Sequence, residues 1–215
     1  MEAPSDKKGE RMMQGVQETP FVELKHISKS FPGVKVLEDI SIPFYRGKVH
    51  VLLGENGAGK STIIKMISGI YQPDEGEVLI EGKNEHLTNI RQARKFGISV
   101  IHQELSVIDD LRVYENVFLG RELKSGGFVD AARMIRETKE LMEAIEIDID
   151  PKAYIRDLNN GAKQMVEIVR AVSQNSRMVI MDEPTSSLSD HEVQALFKVM
   201  RKLKSENVAI IYISH

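Results

Sequence analysis

The alternation of apolar and polar positions changes several times along the chain, and each change marks an element. In "FVELKHISKSF" and "LEDISIPFYRGKVHVLLG", within residues 21–54, apolar positions alternate with polar ones between Gly and Pro breaks. Alternation with β-branched residues predicts strands. "KSTIIKMISGI" (60–70) predicts a helix, ended by the turn "YQPDEG" and followed by "EVLIEGK", a short strand in a hairpin. "GISVIHQ" (97–103) reads as a buried strand. Residues 111–146 read as mostly helical, with Met134, Ile135, Thr138, Leu141, Met142 and Ile145 on one face. A further helix is expected from about Gly161 to Ser173. "RMVIMDE" (177–183) is an unbroken apolar run closed by acids, the pattern of a central parallel strand covered on both faces. "DHEVQALFKVMRKLKSEN" is amphipathic, with Val193, Leu196, Phe197, Met200 and Leu203 expected inward, and "VAIIYISH" is another buried strand. Strands alternating with helices predict an α/β fold with a mostly parallel central sheet. The strand-rich start predicts an antiparallel β subdomain, and residues 104–172 or so read as a helical insertion lobe.

Composition narrows this little. A length of 215 residues suffices for one domain with a sizeable core, or one domain of two lobes. The net charge of −3 supplies no electrostatic argument for nucleic-acid binding. With no cysteine, disulfides and thiolate metal sites are excluded. The longest apolar runs, such as "VAIIYIS", are strand-length and far short of a membrane span. Residues 1–18 are polar, lack the apolar core of a signal peptide, and read as a disordered leader before a domain over 19–215. The chain stops at His215, straight after a strand-like run, so a C-terminal truncation is expected.

Two segments carry chemistry. "GENGAGKST" (54–62) fits G-x-x-x-x-G-K-[ST] between a strand and a helix, the context that defines a P-loop. Gly54, Gly57 and Gly59 let backbone N–H groups curl around an anion. The helix beginning at Lys60 turns its positive end to phosphate. Lys60 adds a point charge, and Ser61 offers a hydroxyl to Mg²⁺, a hard cation that prefers oxygen. Glu55, Asn56, Ala58 and Thr62 complete the expected nucleotide-binding loop. "MVIMDEPT" (178–185) then delivers Asp182 and Glu183 at the C-terminal end of a buried strand, where α/β sheets bind ligands. Asp182 is expected in the Mg²⁺ shell. Glu183 is expected to act as general base, a role worth about 10²–10⁴-fold in rate.

The ordered set of P-loop, "IHQE", "LNNGAKQ", "MDEPTSSL" and "YISH" resembles an ABC-type ATPase domain built on a P-loop NTPase core, over nearly all of 21–215. The resemblance implies ATP and Mg²⁺ as ligands. It implies that Phe31, ahead of the P-loop, stacks on adenine, and that Gln103 touches Mg²⁺ and the attacking water while linking the nucleotide to the helical lobe. It implies that His215 contacts the γ-phosphate. "SSLS" (186–189) takes the place of the loop that crosses the dimer interface, with Ser189 where an aspartate is usual. "IHQELSVIDDLRVYENVFLGRE", "QMVEIVRAVS" and "MDEPTSSLSDHEVQALF" are similar to the monosaccharide importer ATPases of the ribose/galactose/xylose/arabinose group, which carry two tandem ATPase domains. This chain resembles the first. That likeness implies a membrane permease docked on the helical lobe, a sugar-binding protein behind it, and a place on the cytoplasmic face of the cell membrane. A soluble ABC ATPase acting on ribosomes or DNA would carry basic arms, and none is evident. A nucleotide-binding module without turnover would lack Lys60 or Glu183, and both are present.

"LNNGAKQ" departs from the family's L-S-G-G-Q signature, which grips the γ-phosphate from across a dimer. Asn159 stands at the serine, Asn160 at the first glycine, Gly161 at the second and Ala162 at the glutamine. Leu158, Gly161 and Gln164 fit the group's loosened L-S-x-G-x-x-Q. The resemblance implies that Asn159, Asn160 and Gly161 form the weaker of two composite sites. From the residues alone, the same stretch also reads as an Asn-capped helix start.

Overall fold

The computed structural model describes residues 18–55 and 57–214. Asn56, His215 and all but the last residue of the expected leader lie outside the described residues. The chain opens with β1 (Val22–Phe31), β2 (Val34–Phe44) and β3 (Val49–Leu53), then α1 (Lys60–Ile67). β4 (Glu75–Ile80), β5 (Lys83–Asn84), α2 (Ile90–Lys95) and β6 (Ile98–Ile101) follow. Next come α3 (Val113–Val117), β7 (Lys124–Ser125), β8 (Phe128–Val129), α4 (Ala131–Glu143) and α5 (Asn160–Val172). β9 (Met178–Asp182), α6 (Asp190–Ser205) and β10 (Ala209–Ser214) complete the described chain.

Two sheets organise these elements, in accord with the expected α/β class. One is antiparallel, in the order β2-β1-β4-β5. The other is wholly parallel, in the order β3-β10-β9-β6. β9 is the inner strand that "RMVIMDE" predicted. Its side chains alternate between two cores, as a period of two requires. Met178 and Ile180 pack with α1 and the antiparallel sheet, among Ile63, Ile67, Phe21 and Leu24. Val179 and Met181 pack on the other side with α3, α4, α5 and α6, among Val117, Met142, Val169 and Leu196. Each such fully buried side chain contributes roughly 1.5–3 kcal/mol. The second core runs without a break from the sheet into the helical region.

Three expectations need correction. The stretch 111–146 is not mostly helical: α3 is short, and β7 and β8 form a hairpin between α3 and α4. Its turn is Gly126–Gly127, both at positive φ (58° and 92°), the backbone that two-residue hairpin turns need. Phe197 of α6 does not face inward but is 38% exposed. The buried arc is Ala195, Leu196, Val199, Met200 and Leu203, centred between Val199 and Leu203, so it is rotated around the helix toward Ala195 and away from Phe197. The P-loop helix ends at Ile67, short of the expected Ile70, because Gly69 at φ 75° turns the chain away.

Candidate active site

β3 ends where the phosphate-binding loop begins, and the loop feeds directly into α1. Gly59 is the N-cap of α1 at φ 85°, with no side-chain capping bond. A side chain there is doubly excluded: the φ is left-handed, and a Cβ would stand 2.5 Å from Leu37 Cδ2 on β2. Gly57, at φ 86°, meets no protein atom within 4 Å of an added Cβ. Gly54 is not at positive φ, and a Cβ there would press to 3.3 Å on the Ala58 Cβ. Lys60 Nζ donates to the carbonyls of Gly54 and, at 3.0 Å, Glu55, so its charge is held across the mouth of the loop. The N–H groups of the first turn of α1 have no partners within the helix and offer donors to an anion.

Opposite the loop, β9 presents its acidic end. Glu183 sits at φ 47°, a strained backbone for a non-glycine residue. Its N–H donates to the Ile213 carbonyl of β10 at 3.2 Å, which holds the turn in place. Gln103, just past β6, donates from Nε2 to Glu183 Oε2 at 3.2 Å. Residues from β6 and from the end of β9 therefore meet on one edge of the parallel sheet.

One cavity of about 470 Å³ joins these groups. Phe31, Glu55, Gly57, Ala58, Gly59, Lys60, Ser61, Thr62, Gln103, Asp182 and Glu183 all line it, as does Tyr71. Gly54 lies one step behind the wall, through its bond to Lys60. Asn159, Asn160 and Gly161 do not line it. The Asn159 side chain instead caps α5, accepting from Ala162 N–H at 2.7 Å, and Gly161 lies against the Glu192 carboxylate of α6. Ser189 caps α6 in a reciprocal capping box with Glu192, a local role for the residue that stands in place of the usual aspartate.

The sequence reading missed three wall residues: Val36, Lys65 and Tyr71. The Tyr71 ring meets Phe31 edge-on, with centroids 5.3 Å apart, and Lys65 Nζ stands 5.3 Å from the Tyr71 centroid. Lys65 was legible, since it follows Ser61 by four residues on α1 and shares its face. Tyr71 was legible only as a turn aromatic.

The donors suit Mg²⁺. Ser61, Asp182 and Gln103 bring oxygen atoms to the same cavity. Among the described residues, no cluster of three or more His, Cys, Asp or Glu forms a cage by itself. Mg²⁺ bound by one or two carboxylates together with phosphate oxygens needs no such cage.

A strand–loop–helix phosphate cradle facing an acidic strand end defines a P-loop nucleotide-binding protein. The chain belongs to the ABC transporter family, whose pattern matches residues 37–186. It is 47% identical over 204 residues to the ribose import ATP-binding protein RbsA of Clostridium tetani, which covers 94% of this chain and 40% of that protein. It is 44% identical over 195 residues to the galactose/methyl galactoside import ATP-binding protein MglA of Clostridium perfringens, which covers 91% of this chain and 38% of that protein. The chain thus spans about two fifths of the length of these relatives. Among solved structures it resembles the ADP conformation of an ATP-binding cassette of an ABC transporter, with a TM-score of 0.78 and 26% identity, covering 91% of this chain and 81% of that one.

Proposed function

We propose that this chain binds MgATP and hydrolyses it, energising import of a monosaccharide through a membrane permease. One observation carries the reading: a single cavity brings together the phosphate loop, Asp182 and the hydrogen-bonded Gln103–Glu183 pair. The likeness to ribose and galactose import proteins supports the transport role. No helix among the described residues is long and apolar enough to cross a membrane, so the permease is a separate partner in this reading. The helical lobe, about 104–172, docks on it at the cytoplasmic face of the cell membrane. A second ATPase domain of a longer chain completes the two composite sites, and a sugar-binding protein delivers the substrate.

Phe31 stacks on the adenine, with Tyr71 beside it. Lys60 and the N–H groups of the first turn of α1 hold the β- and γ-phosphates. Ser61, Gln103 and Asp182 hold Mg²⁺, which neutralises charge on the phosphate oxygens when bound. Glu183 takes a proton from a water that Gln103 orients, and His215 contacts the γ-phosphate. The water oxygen bonds to the γ-phosphorus as the bond to the bridging oxygen breaks, and that oxygen leaves on ADP. Catalysis here is positioning and charge stabilisation.

The test uses the full-length protein with its permease. Sugar-stimulated ATP hydrolysis by that complex is the expected result. Stable co-purification with ribosomes, with no permease bound, would replace transport with the soluble reading.

A further inference from the structure

Phe31 ends β1 at the tip of a hairpin, paired with Val34 across Pro32–Gly33. Loop tips open at little cost, so a ring there is a poor wall for a base unless something outside the hairpin holds it. The turn that follows α1 holds it at two points. The Tyr71 ring meets Phe31 edge-on, at an interplanar angle of 61°, a favoured geometry for an aromatic pair. Three residues on, Asp74 grips the strand beneath the ring. One carboxylate oxygen accepts from Ser30 N–H at 2.7 Å and the other from Lys29 Nζ at 2.5 Å. The Asp74 N–H donates in turn to the Ser28 carbonyl at 3.0 Å. The same turn is tied to α1. The N–H groups of Ile70 and Tyr71 both donate to the Lys65 carbonyl, at 2.7 and 3.0 Å, while Lys65 Nζ stands over the Tyr71 ring. Contacts therefore run without a gap from the helix that faces phosphate, through Tyr71, to Phe31.

We propose that Tyr71 fixes the Phe31 ring relative to α1, so that the turn at 71–74, and not Phe31 by itself, decides how much the nucleotide base adds to binding. This rests on the function proposed above, in which Phe31 stacks on the adenine. Base and phosphates reach the site as one molecule of limited span. A base wall already set at the right distance from the phosphate cradle loses little freedom when the nucleotide arrives, and that preorganisation appears as affinity. Tyr71 is a positioning residue. With the two rings 61° apart, a base lying flat on Phe31 does not lie flat on Tyr71 as well. Tyr71 therefore acts on the base through Phe31, with the Lys65 ammonium steadying its face.

The test is calorimetric binding of two ligands to this chain: MgATP, and magnesium tripolyphosphate, which has the phosphates and no base. Phe31→Ala should weaken MgATP about fivefold or more and leave tripolyphosphate unchanged. Tyr71→Ala should weaken MgATP about two- to tenfold, again with tripolyphosphate unchanged. Tyr71→Phe keeps the ring and should restore wild-type affinity for MgATP. In the Phe31→Ala background, Tyr71→Ala should change nothing further, since the two act through one contact. Should Tyr71→Ala fail to fold, Asp74→Ala frees the Phe31 strand from the other side and should show the same base-selective loss. Unchanged MgATP affinity in Tyr71→Ala overturns the proposal. So does an equal loss for both ligands, which makes the turn a scaffold only, and so do additive losses in the double variant, which put Tyr71 on the base itself. If Phe31→Ala leaves MgATP affinity unchanged, there is no base wall to position, and the proposal fails while the phosphate site stands. If the wild type binds neither ligand, the function proposed above fails and this inference falls with it.

Discussion

The N-termini of α1 and α5 are both candidates to meet phosphate, and they are finished differently. At α1, Gly59 supplies no capping side chain, and no acidic residue sits in the first turn. The helix's positive end and its unpaired N–H groups face the cavity beside Lys60. At α5, Asn159 takes up the Ala162 N–H itself, and Glu192 of α6 lies against Gly161. α6 shows what a helix start with a wholly internal solution looks like: a Ser189 cap, a capping box and two acids, Asp190 and Glu192, in its first turn. α5 stands between the two extremes. An anion gains most where the protein has left the helix end unsatisfied. On the function proposed above, the two half-sites carried by this chain are expected to be unequal, with the unequal finish of the two helix ends as the physical reason.

The largest effect should come from the open end. Lys60→Ala is expected to abolish MgATP binding by this chain, measured with a fluorescent nucleotide; retained affinity would show that the cavity does not read phosphate through α1. Glu183→Gln in the full-length protein should leave binding intact and slow turnover about 10²–10⁴-fold, roughly 3–5 kcal/mol in the barrier. Single-turnover hydrolysis at the wild-type rate would remove Glu183 from its role. At the half-closed end, Glu192→Gln takes away the carboxylate beside Gly161. It should tighten nucleotide-driven closure of the assembled protein by only about two- to fivefold, about 0.3–1 kcal/mol. An unchanged closure constant would mean that Glu192 does not act on that helix end. Asn159→Ser keeps a capping oxygen, and turnover should stay within about twofold. A large gain would show that the two helix ends have been ranked in the wrong order.

The α1 half of this comparison was legible in the sequence, and the α5 half only partly. A P-loop needs glycines, a lysine and a hydroxyl at fixed steps along one local turn, so residues 54–62 declare themselves. The acidic end of β9 was legible for the same reason, as a short-range pattern. Glu192 beside Gly161 was not, because α5 and α6 are brought together only by the shared core over β9. Tyr71 joined the site through a tertiary contact with Phe31, where the sequence shows a turn. The 124–129 hairpin had its local signal, Gly126–Gly127, but helical spacing on either side masked it. Phe197 illustrates the limit of periodicity, which fixes the width of an apolar arc better than its centre.

The sheet order also sets the sequence in which the site is assembled. Among the described residues, β3, which ends at the phosphate loop, pairs in the parallel sheet only with β10, Val49 against Ile210. β10 lies far along the chain from β3, and pairings between distant segments form slowly. During synthesis β3 is without that partner until β10 has been made. The phosphate loop thus leaves the ribosome well before the strand that flanks β3 in the sheet. A chain whose translation is interrupted before residue 209 carries every residue of the phosphate loop and lacks the strand that holds it.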